Sequence, residues 1–264
     1  MIKFVTLALA IASSSTFAFS TLGNMTNIPD VKHKNKPGFH GQVGLAIANL
    51  PEYIGGKNTE TSVLPLINLS YNDRFYFKLN RLGAWVYKSK NGFRVGGVIT
   101  RHAGYDAGDL PDHLKDNLGS ERDDSTMAGI NAEYKNGMFS AEIGYLTDIS
   151  DTSEGAKSYI KAGYTVLTNP AYTLTLVAKA EMLDDDIAEY YYTAFDDGAS
   201  LNRLYTAEGT TNLTLGAVGT YKINNKWTAI GAVTATSLGD EIADSPLVED
   251  DSYNMFLLGA SYSF

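Results

Sequence analysis

From residue 39 onward the chain alternates apolar and polar side chains, and no apolar run reaches the ~20 residues that a membrane-spanning helix needs. Together these two facts constrain the fold more than any motif. A period of two sorts side chains onto the two faces of a strand, whereas a helix scatters the same pattern around its circumference. In 171–182, Tyr172, Leu174, Leu176, Ala178, Ala180 and Met182 share one face; Thr173, Thr175, Val177, Lys179 and Glu181 share the other. In 125–135, Ala128, Ile130, Ala132 and Tyr134 oppose Gly129, Asn131, Glu133 and Lys135. In 138–145, Phe139, Ala141, Ile143 and Tyr145 oppose Ser140, Glu142 and Gly144.

Composition agrees. Hydrophobic residues make up 44% of the chain, yet mean hydropathy is −0.15, the average expected where the two kinds alternate. A helical membrane protein is excluded. The 17 Tyr, 11 Phe and 25 Gly suit aromatic girdles and closely packed strands. The absence of cysteine excludes disulfides, thiolate metal sites and a cysteine nucleophile. A net charge of −9 argues against nucleic acid as a partner, because phosphate binding needs clustered Lys and Arg.

The N-terminus reads as a secretory signal over residues 1–20. Lys3 precedes an apolar run, 4–12, and small residues Ser13, Ser14 and Ser15 follow. Thr16-Phe17-Ala18 or Ala18-Phe19-Ser20 supplies the cleavage site. The run is too short for a spanning anchor. Residues 21–38 show neither period and are predicted to form a periplasmic tail, made basic by Lys32, Lys34 and Lys36. An exported chain without a spanning helix satisfies its backbone in lipid only as a closed barrel. Residues 39–264 are therefore expected to form an antiparallel transmembrane β-barrel in the bacterial outer membrane.

The pattern predicts about twelve strands, near 39–49, 61–71, 74–80, 82–89, 92–102, 125–135, 138–148, 156–167, 171–182, 206–222, 226–238 and 252–264. Tight turns sit at Asn72-Asp73, Asn91-Gly92, Asn136-Gly137, Thr168-Asn169-Pro170 and Asn224-Asn225, where Asn and Gly tolerate positive φ. Long polar connections at 50–60, 103–124, 149–155, 183–205 and 239–251 alternate with them. Outer-membrane barrels have short periplasmic turns and longer outer loops. One outer connection, near Asn80-Arg81, is tight. Merging 74–89 into one strand gives ten strands as the alternative, but then the later long loops change sides.

The last strand sets Phe256, Leu258, Ala260, Tyr262 and Phe264 on one face. Such an aromatic strand ending in Phe resembles the signal read by the barrel-assembly machinery, and a soluble sandwich has no use for it. The opposite strand faces collect Arg74, Lys78, Arg94, Glu133, Lys135, Glu142, Lys161, Lys179 and Glu181. These are expected to line the lumen, either of a narrow pore or as a paired polar network that fills a small barrel.

The outer loops are acidic, with Asp184, Asp185, Asp186, Glu189, Asp240, Glu241, Asp244, Glu249, Asp250 and Asp251. Oxygen ligands of this kind bind divalent cations, but EF-hand spacing is missing and a solvated face explains them. His102 stands near Asp106 and Asp109, yet neither a Gly-x-Ser-x-Gly elbow nor a paired-aspartate motif accompanies it. No catalytic residue, cofactor or metal is expected.

Several segments resemble the MipA/OmpV family of outer-membrane proteins. They are Pro51-Glu52-Tyr53-Ile54-Gly55-Gly56, then Pro65, and Asn72-Asp73-Arg74-Phe75-Tyr76. Asp148-Ile149-Ser150 with Gly155, Tyr190-Tyr191-Tyr192, Tyr205-Thr206-Ala207, Leu238-Gly239 and Asp244-Ser245-Pro246-Leu247-Val248 follow. Gly259 to Phe264 completes the match. One departure is Tyr191-Tyr192-Thr193-Ala194, where the family often has Tyr-Phe-Gly-Val. The resemblance implies a non-enzymatic outer-membrane protein. One member is described as a scaffold joining a murein-cleaving lytic transglycosylase to a penicillin-binding synthase; others are discussed as porin-like, adhesive or immunogenic. The expected partners are outer-membrane lipid, the barrel-assembly machinery and these two murein enzymes. The alternative is a passive channel for small solutes or cations.

Overall fold

The computed structural model describes residues 37–115, 121–195 and 203–264. The expected signal peptide, and the tail residues Lys32, Lys34 and Lys36, lie outside the described residues.

Twelve antiparallel strands close into a barrel. In chain order they are β1 (Phe39–Pro51), β2 (Thr59–Tyr71), β3 (Phe75–Lys78), β4 (Arg81–Lys88), β5 (Phe93–His102), β6 (Ser125–Asn136), β7 (Phe139–Asp148), β8 (Ala156–Thr168) and β9 (Tyr172–Leu183). A two-stranded outer hairpin follows, β10 (Ala194–Phe195) with β11 (Arg203–Tyr205). The wall then resumes with β12 (Thr210–Lys222), β13 (Trp227–Ser237) and β14 (Ser252–Ser263). β14 closes onto β1 from Gln42↔Ser263 to Asn49↔Phe256. The twelve-strand reading holds, and the expected tight outer turn is real, at Leu79-Asn80 between β3 and β4. Most strand ends shift by one or two residues, and two strands differ more in extent. β12 starts at Thr210 rather than 206, because Arg203–Tyr205 is taken up by the outer hairpin. β3 spans four residues, not seven.

The periplasmic turns form as Asn and Gly allow. Asn72 and Asp73 both have φ 52°, and Gly137 has φ 59°. The alternation sorts as expected, with one face of each strand toward lipid and the other inside. In β14, Phe256 (56% exposed) and Leu258 (70%) point out, while Met255 and Leu257 are buried. The exposed aromatics are not spread evenly. Phe39, Tyr71, Phe75, Tyr87, Phe93, Phe139, Tyr164, Tyr172, Tyr221, Trp227 and Phe264 all lie near periplasmic strand ends, forming one interfacial girdle.

The outer loops fold inward. The helix Asp185–Tyr192 is capped by Asp184, whose carboxylate accepts from Ile187 N–H at 3.1 Å and from Ala156 N–H at 2.5 Å. Its apolar side, Ile187, Ala188, Tyr191 and Tyr192, packs onto the inward residues Val98, Met127, Leu146, Tyr159 and Leu183 and onto Leu238 and Ile242.

Candidate functional site

The barrel interior has two unlike walls. The first, carried by β4 to β9, is charged. Glu142 sits at its centre. Arg81 donates to it at 2.6 Å, and Lys161 lies 3.0 Å from its other oxygen. The Tyr159 hydroxyl donates to Glu142 at 2.7 Å and accepts from Arg81 at 2.6 Å. Asn131 donates to Glu142 at 3.2 Å. Lys161 is 2% exposed and Glu142 is 6%. Toward the outer end Glu181 lies between Lys179, at 3.0 Å, and Lys157, at 3.6 Å. Lys157 also reaches His102 Nδ1 at 2.9 Å, and the His102 ring packs 4.7 Å from that of Tyr191. Toward the periplasm Glu133 pairs with Arg94 and, at 3.2 Å, with Lys135. Arg94 also lies over the Trp85 ring at 4.5 Å.

Each of these three carboxylates is thus flanked by two cations. Withdrawal from water makes single charges costly, and pairing with added hydrogen bonds offsets that cost. The wall nevertheless holds six cations against three carboxylates, so its sign is positive, opposite to the acidic outer loops. The second wall is largely apolar in its outer half, although Gln42, Asn68, Thr234, Thr236 and Ser261 are also buried along it. Ala46, Ala48 and Leu50 of β1, Leu64 and Leu66 of β2, Ile230 of β13, and Met255 and Leu257 of β14 form one cluster with Leu79 and Ala103.

The outer mouth is bound together by side-chain to backbone hydrogen bonds. Ser245 Oγ donates to Tyr192 O at 2.6 Å, and the Tyr53 hydroxyl donates to Leu247 O at 3.1 Å. Tyr191 OH donates to Asp123 O at 3.0 Å and accepts from Ser125 N–H at 3.1 Å. Tyr105 donates to Tyr191 O at 3.1 Å, and Arg122 donates to Tyr190 O at 2.5 Å. Burial raises the Tyr105 phenol to about 12 and pushes Tyr53 and Tyr191 up as well, so all three stay neutral donors at ordinary pH. Gly55, at φ 91°, fits against Val248; a Cβ there would stand 2.7 Å from a valine methyl. The segments around Tyr53, Tyr190-Tyr191-Tyr192 and Asp244–Val248 are far apart in sequence, and they meet here.

Of the residues expected to line the lumen, Arg94, Glu133, Lys135, Glu142, Lys161, Lys179 and Glu181 all face inward and are paired as described. Arg74 does not join them; it is exposed beside the Asn72-Asp73 turn. His102 is removed from Asp106 and Asp109: it is buried against Lys157 and Tyr191, while Asp109 accepts from Asp106 N–H. Asp184 acts as a helix cap. No cluster of metal-ligating side chains occurs among the described residues. Arg81, Lys157, Tyr159 and Asn131 are network members beyond the expected list. Strand alternation carried the signal for them, since Lys157, Tyr159 and Lys161 share parity, as do Asn131 and Glu133.

The family model described as MltA-interacting protein MipA matches residues 43–264, nearly the whole barrel. The chain belongs to that family. Its MipA-family relatives are outer-membrane proteins. It is 28% identical over 137 residues to outer membrane protein Omp26La of Vibrio anguillarum, covering 52% of each chain. It is 29% identical over 137 residues to outer membrane protein OmpV of Vibrio cholerae, again covering 52% of each. The chain thus spans about half the length of these curated relatives in the match. Among solved structures, an outer-membrane channel from Pseudomonas putida F1 aligns over 89% of this chain and 98% of its own at 12% identity, with a TM-score of 0.45. Vibrio cholerae OmpT aligns over 89% and 100% at 10% identity, with a TM-score of 0.40. The MipA-family barrel described here is an outer-membrane protein.

Proposed function

We propose that this protein is a non-enzymatic outer-membrane anchor that holds murein-remodelling enzymes, a lytic transglycosylase and a penicillin-binding synthase, at its periplasmic end. The observation that carries the reading is the charge at that end. Arg74, Lys88, Lys90, Lys222 and Lys226 are exposed around the turns, and the acidic residue among them, Asp73, is already paired with Lys88 at 2.8 Å. Lys32, Lys34 and Lys36 of the tail add to the same sign in this reading. A basic rim attracts acidic surfaces, and the attraction fades with salt. The description of the family as MltA-interacting points the same way. The turns are short, and a stable interface buries at least ~1,000 Å², so the tail joins the turns in forming it.

The interior disfavours the channel alternative. Its charges are paired and mostly buried, and the outer mouth is crossed by the helix Asp185–Tyr192. Net acidity of the approaches would select cations, but the wall behind them is positive.

The test is co-isolation of lytic transglycosylase and penicillin-binding protein with the full-length barrel. One variant lacks residues 22–36; a second carries Lys88→Gln, Lys90→Gln, Lys222→Gln and Lys226→Gln. The reading expects reduced recovery with each variant, and salt-sensitive recovery for the parent. Equal recovery from all three at low and high salt would exclude it.

A further inference from the structure

The barrel wall has one incomplete place. At ~3.3 Å per residue, the four residues of β3 extend only about 13 Å, whereas a tilted membrane strand takes ~9–11 residues. The β3–β4 turn ends opposite the middle of β2, where Leu79 N–H donates to Ile67 O at 2.8 Å. Beyond that point residues 59–66 of β2 pair with β1 on one side. On the other side no strand among the described residues pairs with them. Across the gap, β4 pairs with β5 only as far as Leu82↔Ile99. Above the gap the Tyr53 ring lies 5.7 Å from that of Tyr105, so the loops after β1 and β5 meet and leave a window beneath them.

The sequence of β2 suits a free edge. Ile67 bonds toward β3, so Pro65, Val63 and Thr61 direct their backbone groups to the same side. Proline has no N–H to leave bare in lipid, and it blocks addition of a further strand.

Side chains close the window. Leu79 adopts φ 54°, which leucine rarely does, and lies in the apolar cluster with Leu64, Leu66 and Ala103. The adjacent Asn80 amide is buried, and neither its Oδ1 nor its Nδ2 has a hydrogen-bond partner among the described residues. The next residue, Arg81, holds the turn to Glu142. A strained, polar-unsatisfied turn is thus kept in place by the packing of Leu79, the backbone bond to Ile67 and the contacts of Arg81 with Glu142 and Tyr159. Strained turns held by their surroundings cluster at switch regions.

The helix Asp185–Tyr192 obstructs the axial path, so the window is the weakest way in. Behind it stand the two walls already described, one largely apolar in its outer half and one with more cations than carboxylates. We propose that the gap between β2 and β5 is a lateral gate, opened by displacement of the Leu79-Asn80 turn. It admits an anionic amphiphile, an acyl chain with an acidic head, from the outer leaflet into the lumen. The chain lies along Leu64, Leu66 and Leu257, and the head group meets the cationic wall beginning at Arg81. This role uses the outer half of the wall and is independent of the periplasmic scaffold.

The experiment uses the full-length protein in phosphatidylcholine vesicles, titrated with a fluorescent polyene fatty acid and with the matching fatty amine. Saturable binding of the acid, tighter than that of the amine, is expected. Leu79→Gly relieves the positive φ while removing the plug, and should speed uptake several-fold. Arg81→Gln should erase the preference for acid over amine. If that variant fails to show heat-modifiable migration, Lys179→Gln tests the same preference. Signal equal to protein-free vesicles, equal affinity for acid and amine, or unchanged uptake in Leu79→Gly would each overturn the gate.

Discussion

Replacing Glu142 by Gln tests whether the lumen network holds the barrel together. The substitution keeps shape and an acceptor oxygen but removes the charge between Arg81 and Lys161, both nearly inaccessible to water. Two buried cations then face a neutral amide whose own N–H₂ opposes donors. Breaking a buried pair from one side costs about 3–5 kcal/mol. The hydrogen bonds from Tyr159 and Asn131 are included in that figure, because members of one network do not add. This corresponds to roughly two to three and a half powers of ten in the unfolding equilibrium. With a guanidinium slope near 4 kcal/mol per molar, the midpoint should fall by roughly 1 M. The protein's two tryptophans report on the transition. Trp85 lies against Tyr76, and Trp227 packs edge-on to Tyr262, so they sample different parts of the wall. Glu189→Gln is the comparison. Its pair with Arg203 is short, at 2.5 Å, but both side chains are about half exposed, and its loss should cost less than ~1 kcal/mol. Adding Lys161→Met to Glu142→Gln should recover part of the loss, because one stranded cation is gone. Equal midpoints for Glu142→Gln and Glu189→Gln would refute the idea that the dry network stabilises the barrel.

Ser245→Ala removes the buried bond to Tyr192 O; it should cost about 1–3 kcal/mol locally and speed proteinase K cleavage of the outer loops on intact cells, with periplasmic turns unaffected. Phe264→Ala removes the ring that packs 5.9 Å from Phe39 and the expected assembly signal, so outer-membrane levels should drop in fractionated cells. Planar-bilayer recordings of the parent protein should show no steady ohmic conductance; persistent openings would restore the channel reading. Circular dichroism in detergent should be β-type, with heat-modifiable migration on gels.

Much of the wall was legible because a strand in lipid obeys one strong rule. Every second side chain must be apolar, and this repeats for as long as the strand crosses the membrane. That rule located the strands and the inward faces of Glu142, Lys161, Lys179 and Glu181, while Asn and Gly marked the turns at Asn72-Asp73 and Asn136-Gly137. It failed where the rule lapses. Residues 183–205 are polar and carry no period of two, so neither the helix Asp185–Tyr192 nor the short outer hairpin was visible. The tyrosines there read as loop residues, yet Tyr191 and Tyr192 are buried because the helix turns into the barrel mouth.

Pairing was hidden for a different reason. Parity shows that Arg81, Glu142, Tyr159 and Lys161 point inward, but not which of them meet. Arg81 and Glu142 are 61 residues apart. They touch because barrel curvature and strand stagger bring β4 within reach of β7, three strands along the wall, and those quantities are properties of the closed sheet. The short β3, the edge at Pro65 and the buried turn at Leu79-Asn80 are of the same kind. Local sequence decided the period, the side each residue faces, and hence that this chain must close on itself in a membrane. Only closure decided whether the inward charges would border water or one another, because burial and distance across the lumen depend on all the strands together.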